Sequence, residues 1–201
     1  MSSPDAVRHA LGTIRREQFL PRRQRRFAGQ DRALEIGHRQ TNSQPSTVLH
    51  LLSLLEVEPG HRVLDVGSGS GWTTALLGQL VGEDGQVYGV ELVPELVTWS
   101  RKNLAAYPMP WISVGQADPD VLGLPEQAPF DRILVSAEAT RIPQPLVEQL
   151  VTDGLMVVPV RGRMTSVRRT VPGPTVVQHG FYSFVPLIEP GPRGSRRLPD
   201  G

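Results

Sequence analysis

A glycine-rich turn and an acidic residue downstream of it form the first candidate site. Gly67, Gly69 and Gly71 follow an apolar segment, and Glu91 lies twenty residues beyond the last of them. Glycines let a ligand approach the backbone closely, and a helix that starts there presents unpaired N–H groups. Glu91 would end a neighbouring parallel strand, where a carboxylate can accept hydrogen bonds from two ribose hydroxyls. The sequence therefore predicts a nucleoside-binding site.

The spacing of the glycines indicates which ligand the turn binds, a methyl-donor cofactor or a dinucleotide. A dinucleotide fingerprint requires a third glycine three positions beyond the second, and that position is Trp72. Asp65 precedes the turn, and a carboxylate there suits a sulfonium cation better than a pyrophosphate. Gly-x-Gly-x-Gly after an acidic strand end resembles the S-adenosylmethionine-dependent methyltransferases. The alternative is a glycine-rich strand–helix turn that binds no ligand.

An alternation of strands and helices positions this turn. Strands are predicted over 62–66, 86–91, 111–114, 131–136 and 155–160, and helices over 72–80, 94–105 and 143–150. Alternation with short connections predicts an α/β fold of Rossmann-like type, in which helices cover both faces of a doubly wound, mostly parallel sheet. Three short β segments then predict an antiparallel β-rich C-terminal part, at 166–171, 175–178 and 181–186.

The segment before the first strand is expected to lie on the substrate side. An amphipathic helix is predicted over 6–19, and residues 22–42 are polar and predicted to be irregular. A second helix begins at Pro45, with Ser43 as its N-cap. We expect a single methyltransferase domain over 1–188, made of an N-terminal segment (1–58), a cofactor-binding core (59–160) and a β-rich completion (161–188). Residues 189–201 have the composition of a disordered tail.

Composition limits the classes of partner. The chain has 201 residues, a formal net charge of +1 and no cysteine, so disulfides and cysteine-based metal sites are excluded. A basic cluster over 15–26 is interpreted as a solvated helical face rather than a nucleic-acid patch, because few aromatic residues interleave it. No secretory signal is visible, and no apolar run approaches the ~18 residues of a membrane span. We expect a cytoplasmic monomer that binds no metal, nucleic acid or membrane.

Two further segments narrow the class of methyltransferase. Ile36-Gly-His-Arg-Gln-Thr-Asn-Ser-Gln-Pro45 precedes the cofactor strand, and Gly123-Leu-Pro-Glu-Gln-Ala-Pro-Phe-Asp-Arg-Ile133 follows the third strand. Together they resemble the protein-L-isoaspartate O-methyltransferase family, over about residues 6 to 188. The Thr-x-Ser-x-Pro element is the most family-specific part. The resemblance implies methylation, from S-adenosylmethionine, of the carboxylate of isoaspartyl residues in damaged proteins or peptides, which starts repair through a succinimide.

The same resemblance implies the residues on the acceptor side. Ser43 takes the position of the residue assigned to catalysis. Asn42 stands where the family usually carries an apolar residue, and Ser46 stands where it carries His or a similar residue. Both changes could alter the substrate preference. His38 is either a donor to the substrate carboxylate or a satisfied polar loop residue. The predicted substrate-binding residues are Gln40, Thr41, Asn42, Gln44 and Pro45.

A carboxylate acceptor explains why no catalytic base is evident. Its reference pKa is about 4, so it is ionised at neutral pH and reacts without losing a proton. Alignment in a closed, water-poor site should then provide most of the acceleration, because opposite charges cancel in the transition state. The hydroxyl of Ser43 can hold the carboxylate without taking a proton.

The loop after the third strand departs from the family pattern. The family carries Gly-Asp-Gly there, with the aspartate on the adenine amino group, but residues 115–120 read Gly-Gln-Ala-Asp-Pro-Asp. An ungapped alignment puts Pro119 at the position of the family's aspartate, and a shift of one residue puts Asp118 there instead. The predicted cofactor-binding residues are Asp65, Gly67, Ser68, Gly69, Gly71, Glu91, Leu92 and Asp118.

Two other functions fit the same sequence. One is a dedicated carboxyl O-methyltransferase for a single biosynthetic peptide or small acid, which Asn42, Ser46 and the altered 115–120 loop would favour. The other is a non-catalytic homologue that binds the cofactor without turnover, or has lost it through Pro119. A base-methylating enzyme is disfavoured, because the chain lacks the Asn/Asp-Pro-Pro-aromatic motif and its charge is balanced.

Overall fold

Seven strands of the protein form one central sheet. The computed structural model describes residues 4–189. The helices are α1 (Pro4–Thr13), α2 (Pro45–Leu55), α3 (Trp72–Val81), α4 (Pro94–Leu104) and α5 (Gln144–Val147). The strands are β1 (Leu34–Gly37), β2 (Gln40–Asn42), β3 (Arg62–Val66), β4 (Gln86–Glu91), β5 (Ile112–Gln116), β6 (Phe130–Val135), β7 (Leu150–Val160), β8 (Arg163–Arg168) and β9 (Thr175–Phe181).

The order of the strands confirms the predicted fold class. The sheet runs β5-β4-β3-β6-β7-β8-β9, parallel from β5 to β7 and antiparallel for β8 and β9. The chain builds outward from β3 to β5, then returns to the other side of β3 with β6. This reversal opens a crevice at the carboxyl ends of β3 and β6, where open α/β sheets bind ligands.

Alternating residues of the strands bury two apolar cores, one on each face of the sheet. Val63 joins a cluster with residues of α2, α3 and α4, whereas Leu64 joins a cluster with residues of α5. Both side chains are fully buried, and each such burial contributes about 1.5–3 kcal/mol. The near-continuous apolar sequence of β3 is therefore what fixes the strand that carries the glycine turn.

The N-terminal helix is shorter than predicted. The expected helix over 6–19 ends at Thr13, because Arg15 has extended backbone angles (φ −72°, ψ 119°) that interrupt it. A 3-10 turn over Arg16–Phe19 follows. This break turns Arg16 and Phe19 inward, and their exposed fractions are 5% and 0%.

A β-hairpin replaces part of the segment that was predicted to be irregular. β1 and β2 pair antiparallel within 22–42, with an irregular register near Gly37. His38 and Arg39 form the turn, both with positive φ (52° and 56°). Asn-Gly or Asp-Gly is the usual sequence signal for such a turn. Because this hairpin uses other residues there, its sequence carried no clear turn signal.

Two other predicted elements differ from the structure. The helix predicted over 143–150 is confined to Gln144–Val147, since β7 already begins at Leu150 and pairs with Phe130. The predicted strand over 181–186 is one isolated bridge between Glu138 and Pro186. Apart from Glu189, the predicted tail lies outside the described residues. The remaining strands and helices of the core match their predicted positions to within a few residues.

Within residues 4–189, no helix has both the length and the apolar character to cross a membrane.

We expect Gly85→Ala to lower the free energy of unfolding by about 1–3 kcal/mol, the usual cost of overpacking. An added Cβ would lie 2.5 Å from the Cβ of Val81 and 2.8 Å from the carbonyl oxygen of His61. Gly29→Ala is the matched control, because no atom lies within 4 Å of its added Cβ. Urea denaturation of both variants tests this, and equal stabilities would contradict it.

Candidate active site

A cleft of about 1070 Å³, including its open mouth, lies at the carboxyl ends of β3, β4 and β6. It falls at the crevice that the strand order creates. Seven stretches of chain supply most of its lining: residues 40–43, 66–70, 91–93, 117–119, 121–123, 136–137 and 185–188, joined by Ile36, Trp72, Thr73 and Val90.

The glycine turn forms one wall of the cleft. Gly67 and Gly69 line it, both with positive φ (77° and 54°), and an added Cβ on Gly69 would lie 3.3 Å from Ile36 Cδ1. Gly71 serves helix packing rather than the approach of a ligand. It is not among the lining residues, and a Cβ there would lie 3.2 Å from Ser100 Cβ on α4. Gly71 therefore permits close packing of α4 against the turn.

Glu91 is fixed at the cleft by the backbone around it. The N–H of Gly69 donates to its Oε2 and the N–H of Val93 donates to its Oε1, both at 2.9 Å. The side chain is 7% exposed and lines the cleft. Because carboxylate oxygens have about four acceptor sites between them, Glu91 can still accept bonds from two ligand hydroxyls.

Asp65 lies behind the wall of the cleft rather than on it. Its carboxyl group is fully buried, and the hydroxyls of Thr73 and Thr74 each donate to Oδ2 at 2.7 Å. Burial raises the pKa of Asp65 to about 6, the two hydroxyl bonds lower it, and the nearby charge of Glu91 raises it further. Of these two threonines, Thr73 lines the cleft. Asp65 is therefore placed to act on a ligand indirectly, by fixing Thr73 or through its charge, rather than by direct contact.

Two buried hydroxyl groups line the cleft without a hydrogen-bond partner. Within residues 4–189, these are Ser68 Oγ and Ser136 Oγ, and the buried carboxyl oxygen Asp65 Oδ1 also has none. Ser68 and Ser136 both line the cleft. A buried polar group without a partner costs free energy, so these positions fit a ligand with polar groups. Ser136 was not predicted from sequence, although its place just after β6 is a signal that could have identified it.

The loop after β5 brings Asp118 to the cleft together with Pro119, and Asp120 is not among the lining residues. The carboxylate of Asp118 also accepts a bond from the N–H of Asp120 at 2.8 Å. This placement agrees with the one-residue shift that the sequence suggested. A contact between Asp118 and adenine stays a prediction.

β2 and the residues after it carry the acceptor side that the sequence predicts. Gln40, Thr41, Asn42 and Ser43 line the cleft, whereas Gln44 and Pro45 do not. The N-cap of α2 is Gln44, without a side-chain cap bond, so the prediction that Ser43 caps this helix was wrong. Ser43 lies one residue too early for that position. His38 is exposed at the hairpin turn and is not part of the lining.

Arg16 organises the acceptor side, and sequence analysis did not predict this role. Its guanidinium donates to the carbonyl oxygens of Ala28, Gln30, Arg32, Asn42 and Ser43, and to Oδ1 of Asn42, at 2.8–3.1 Å. Burial lowers the pKa of Arg16 to about 10, so it stays protonated at neutral pH. The interpretation of residues 15–26 as a solvated face was therefore wrong for Arg16.

The C-terminal segment closes one side of the cleft. Val185 to Ile188 line it, and the segment is held by two backbone bonds of 2.7 Å, from Glu138 N to Val185 O and from Leu187 N to Glu138 O. The sequence predicted a sheet edge for part of this segment and carried no indication that the segment would reach the site. Across residues 4–189, no group of three His, Asp or Glu side chains is placed to hold a metal ion.

The sequence model of the protein-L-isoaspartate(D-aspartate) O-methyltransferase family matches residues 1–189. The chain belongs to this family. This confirms the resemblance that rested on the Thr-x-Ser-x-Pro element and the segment around Gly123.

Individual relatives agree with the assignment. A protein-L-isoaspartate O-methyltransferase of Gloeobacter violaceus is 40% identical, over 94% of this chain and 92% of its own length. One of Aeropyrum pernix is 41% identical, over 90% of this chain and 72% of its own. A Plasmodium falciparum protein of the same family, solved in complex with S-adenosyl-L-homocysteine, superposes with a TM-score of 0.81 at 23% identity, over 93% of this chain and 91% of that one.

We expect Asp65→Asn to change how the stability of this methyltransferase depends on pH. The folded protein keeps the Asp65 proton up to about pH 6, whereas the unfolded chain releases it near 3.8. Rising pH therefore lowers the free energy of unfolding of the unsubstituted protein across this window, by about 3 kcal/mol for this group. Asparagine does not titrate and can still accept both threonine bonds.

The measurement is urea denaturation of both proteins at several pH values from 4 to 7. The free energy of unfolding of Asp65→Asn minus that of the unsubstituted protein should rise with pH and level off above about pH 6. A difference that stays constant over this range would contradict the burial-raised pKa.

Proposed function

We propose that this protein transfers the methyl group of S-adenosylmethionine to the carboxylate of L-isoaspartyl residues in damaged proteins and peptides. The observation that carries this is that one cleft is lined both by the glycine turn with Glu91 and by the family's Thr41–Ser43 element. Membership of the family supports the reaction, and the printed names of the relatives support the acceptor.

The residues of the cleft fit this cofactor. Glu91 would accept bonds from the ribose hydroxyls, and the unpartnered hydroxyls of Ser68 and Ser136 would bond its polar amino-acid part. Gly67 and Gly69 would let the backbone approach it, and Leu92 and Asp118, which also line the cleft, would hold its nucleoside. When bound, the cofactor supplies an electrophilic methyl group on a sulfonium. Asp65 contributes indirectly by fixing Thr73 and Thr74.

The acceptor side needs only to orient a carboxylate that is already ionised. In the transfer, one of its oxygens would form the new bond to the methyl carbon, and the electron pair of the broken carbon–sulfur bond would return to sulfur. The hydroxyl of Ser43 donates to the acceptor carboxylate and aligns it, while Gln40 and Thr41 bind the peptide around it. The segment 185–188 lines the cleft, and shielding from water there would favour a reaction in which the opposite charges of carboxylate and sulfonium cancel.

The product explains why this reaction starts a repair. A methyl ester carbonyl is attacked by the backbone nitrogen of the following residue far more easily than a carboxylate, because methanol leaves more readily. The resulting succinimide is hydrolysed on either side, and one of the two products is normal aspartate. No further group on this protein is required after the ester forms.

We also propose that one chain suffices for activity. Every residue assigned above comes from a single copy, and the cleft is lined within that copy from β2 to the C-terminal segment. The cytoplasmic location stays a prediction from the sequence.

We expect an isoaspartyl peptide to acquire a base-labile methyl ester from S-adenosylmethionine, and its aspartyl twin of the same sequence to remain unlabelled. Radiolabelled cofactor with both peptides, followed by release of methanol at alkaline pH, measures this. Equal labelling of the twins would refute general isoaspartyl specificity. Labelling of one partner in cell extract, with neither peptide labelled, would instead favour the dedicated methyltransferase.

We expect Ser43→Ala to lose turnover and to keep cofactor binding, because the Ser43 hydroxyl orients the acceptor carboxylate and does not hold the cofactor. Gly69→Val is the complementary variant, because a branched side chain at φ 54° beside Ile36 blocks the approach to the cofactor. Calorimetry with S-adenosylhomocysteine and the peptide assay separate the two effects. Full activity of Ser43→Ala would refute the catalytic assignment, and absence of S-adenosylhomocysteine binding by the unsubstituted protein would favour the non-catalytic alternative.

A further inference from the structure

Asn42 joins the two halves of the cleft through its side chain. It is 5% exposed, its Oδ1 accepts from Arg16 Nε at 2.8 Å, and its Nδ2 donates to Ser70 Oγ at 3.4 Å. The orientation of the amide is determined chemically, because arginine can only donate. Oδ1 must face Arg16, so the amino group must face Ser70.

Each end of this connection is anchored in a different part of the site. On the acceptor side, Arg16 also holds the carbonyl oxygens of Asn42 and Ser43, at 3.1 and 2.9 Å. On the cofactor side, Ser70 is 2% exposed and lies between Gly69 and Gly71, and its carbonyl oxygen accepts from Asn103 Nδ2 at 2.9 Å. The side chain of Asn42 thus connects the acceptor loop (residues 40–44) with the glycine turn.

The glycine turn is held by bonds from Gly67 N to Val90 O and from Gly69 N to Glu91 Oε2, both at 2.9 Å, and the bond at Ser70 Oγ links it to the acceptor loop. Its three glycines have positive φ, and glycine loses more conformational freedom than other residues when it is ordered. A ligand that orders the turn therefore also orders whatever is bonded to it. The one bond from Ser70 Oγ leads through Asn42 to the backbone on which Ser43 sits.

We propose that Asn42 is a positioning residue through which an occupied glycine turn orders the acceptor loop and Ser43. This rests on the proposed function only in that S-adenosylmethionine, or its demethylated product, is the ligand of the turn. The consequence is positive coupling, in which cofactor binding raises the affinity for the acceptor, as two ligands that favour the same ordered state must do.

Hydrogen exchange tests this without turnover. The amides of residues 40–44 are measured with and without S-adenosylhomocysteine in the unsubstituted protein, Asn42→Leu and Ser70→Ala. Leucine has nearly the shape of asparagine but makes neither bond. We expect the ligand to slow exchange in the unsubstituted protein by about fivefold or more, the lower end of typical coupling, and to have little effect in either variant. Ser53→Ala is the control, since that hydroxyl bonds only within α2, to Leu49 O.

Kinetics with an isoaspartyl peptide provide the second measurement. Asn42→Leu and Ser70→Ala should each raise the peptide KM several-fold when cofactor is saturating, while the Kd for S-adenosylhomocysteine measured without peptide changes little. The double variant should be no worse than the more impaired single variant, because both remove the same connection. Asn42→Leu combined with Ser53→Ala should instead show additive effects.

The outcomes separate this inference from the proposed function. Ligand-dependent protection of 40–44 that persists in both variants, or that is absent from the unsubstituted protein, overturns the role of Asn42. If the protection depends on Asn42 but the protein methylates no isoaspartyl peptide, the role of Asn42 is supported. The isoaspartyl acceptor of the proposed function is then refuted. If Asn42→Leu does not fold, Ser70→Ala alone decides, because it leaves the bond between Asn42 and Arg16 intact.

Discussion

The buried guanidinium of Arg16 is the interaction on which the acceptor half of the site depends. A buried ion costs several kcal/mol in lost hydration, and here six neutral oxygens compensate it. These acceptors belong to segments 28–32 and 42–43, which have few regular backbone bonds of their own. One charge therefore holds together a region that secondary structure alone would leave poorly defined, and Ser43 lies within it.

The cofactor half is held differently. β3 and β4 pair in register from Arg62 to Val66, and this pairing brings Glu91 beside the turn that follows β3. The carboxylate then accepts bonds from Gly69 and Val93, so its position is set before any ligand arrives. Such preorganisation limits the ordering cost of binding. Regular backbone pairing thus fixes the donor side, whereas side-chain bonds to carbonyls fix the acceptor side.

This difference explains what sequence reasoning could and could not find. The glycine turn, Glu91 and the parallel core depend on local patterns, namely apolar runs, spacing and glycine, so they were predicted with bounds close to those observed. Ser43 was found only through resemblance to a family. Arg16 and the segment 185–188 act through contacts across distant parts of the chain, and a single arginine in a basic run carries no sign of burial. The hairpin of β1 and β2 lacked its usual turn residues.

Asn42 shows how a departure from a family pattern can be structural rather than a change of specificity. From sequence, a polar residue beside Ser43 suggested an altered acceptor. In the fold, both polar ends of its side chain are bonded to protein, one to Arg16 and one to Ser70. Each end makes one such bond, so one amide N–H and one lone pair of Oδ1 remain for an acceptor in the cleft that Asn42 lines. The substitution at 42 therefore has a structural explanation that requires no change of acceptor, whereas Ser46 and the loop around Pro119 have no such explanation.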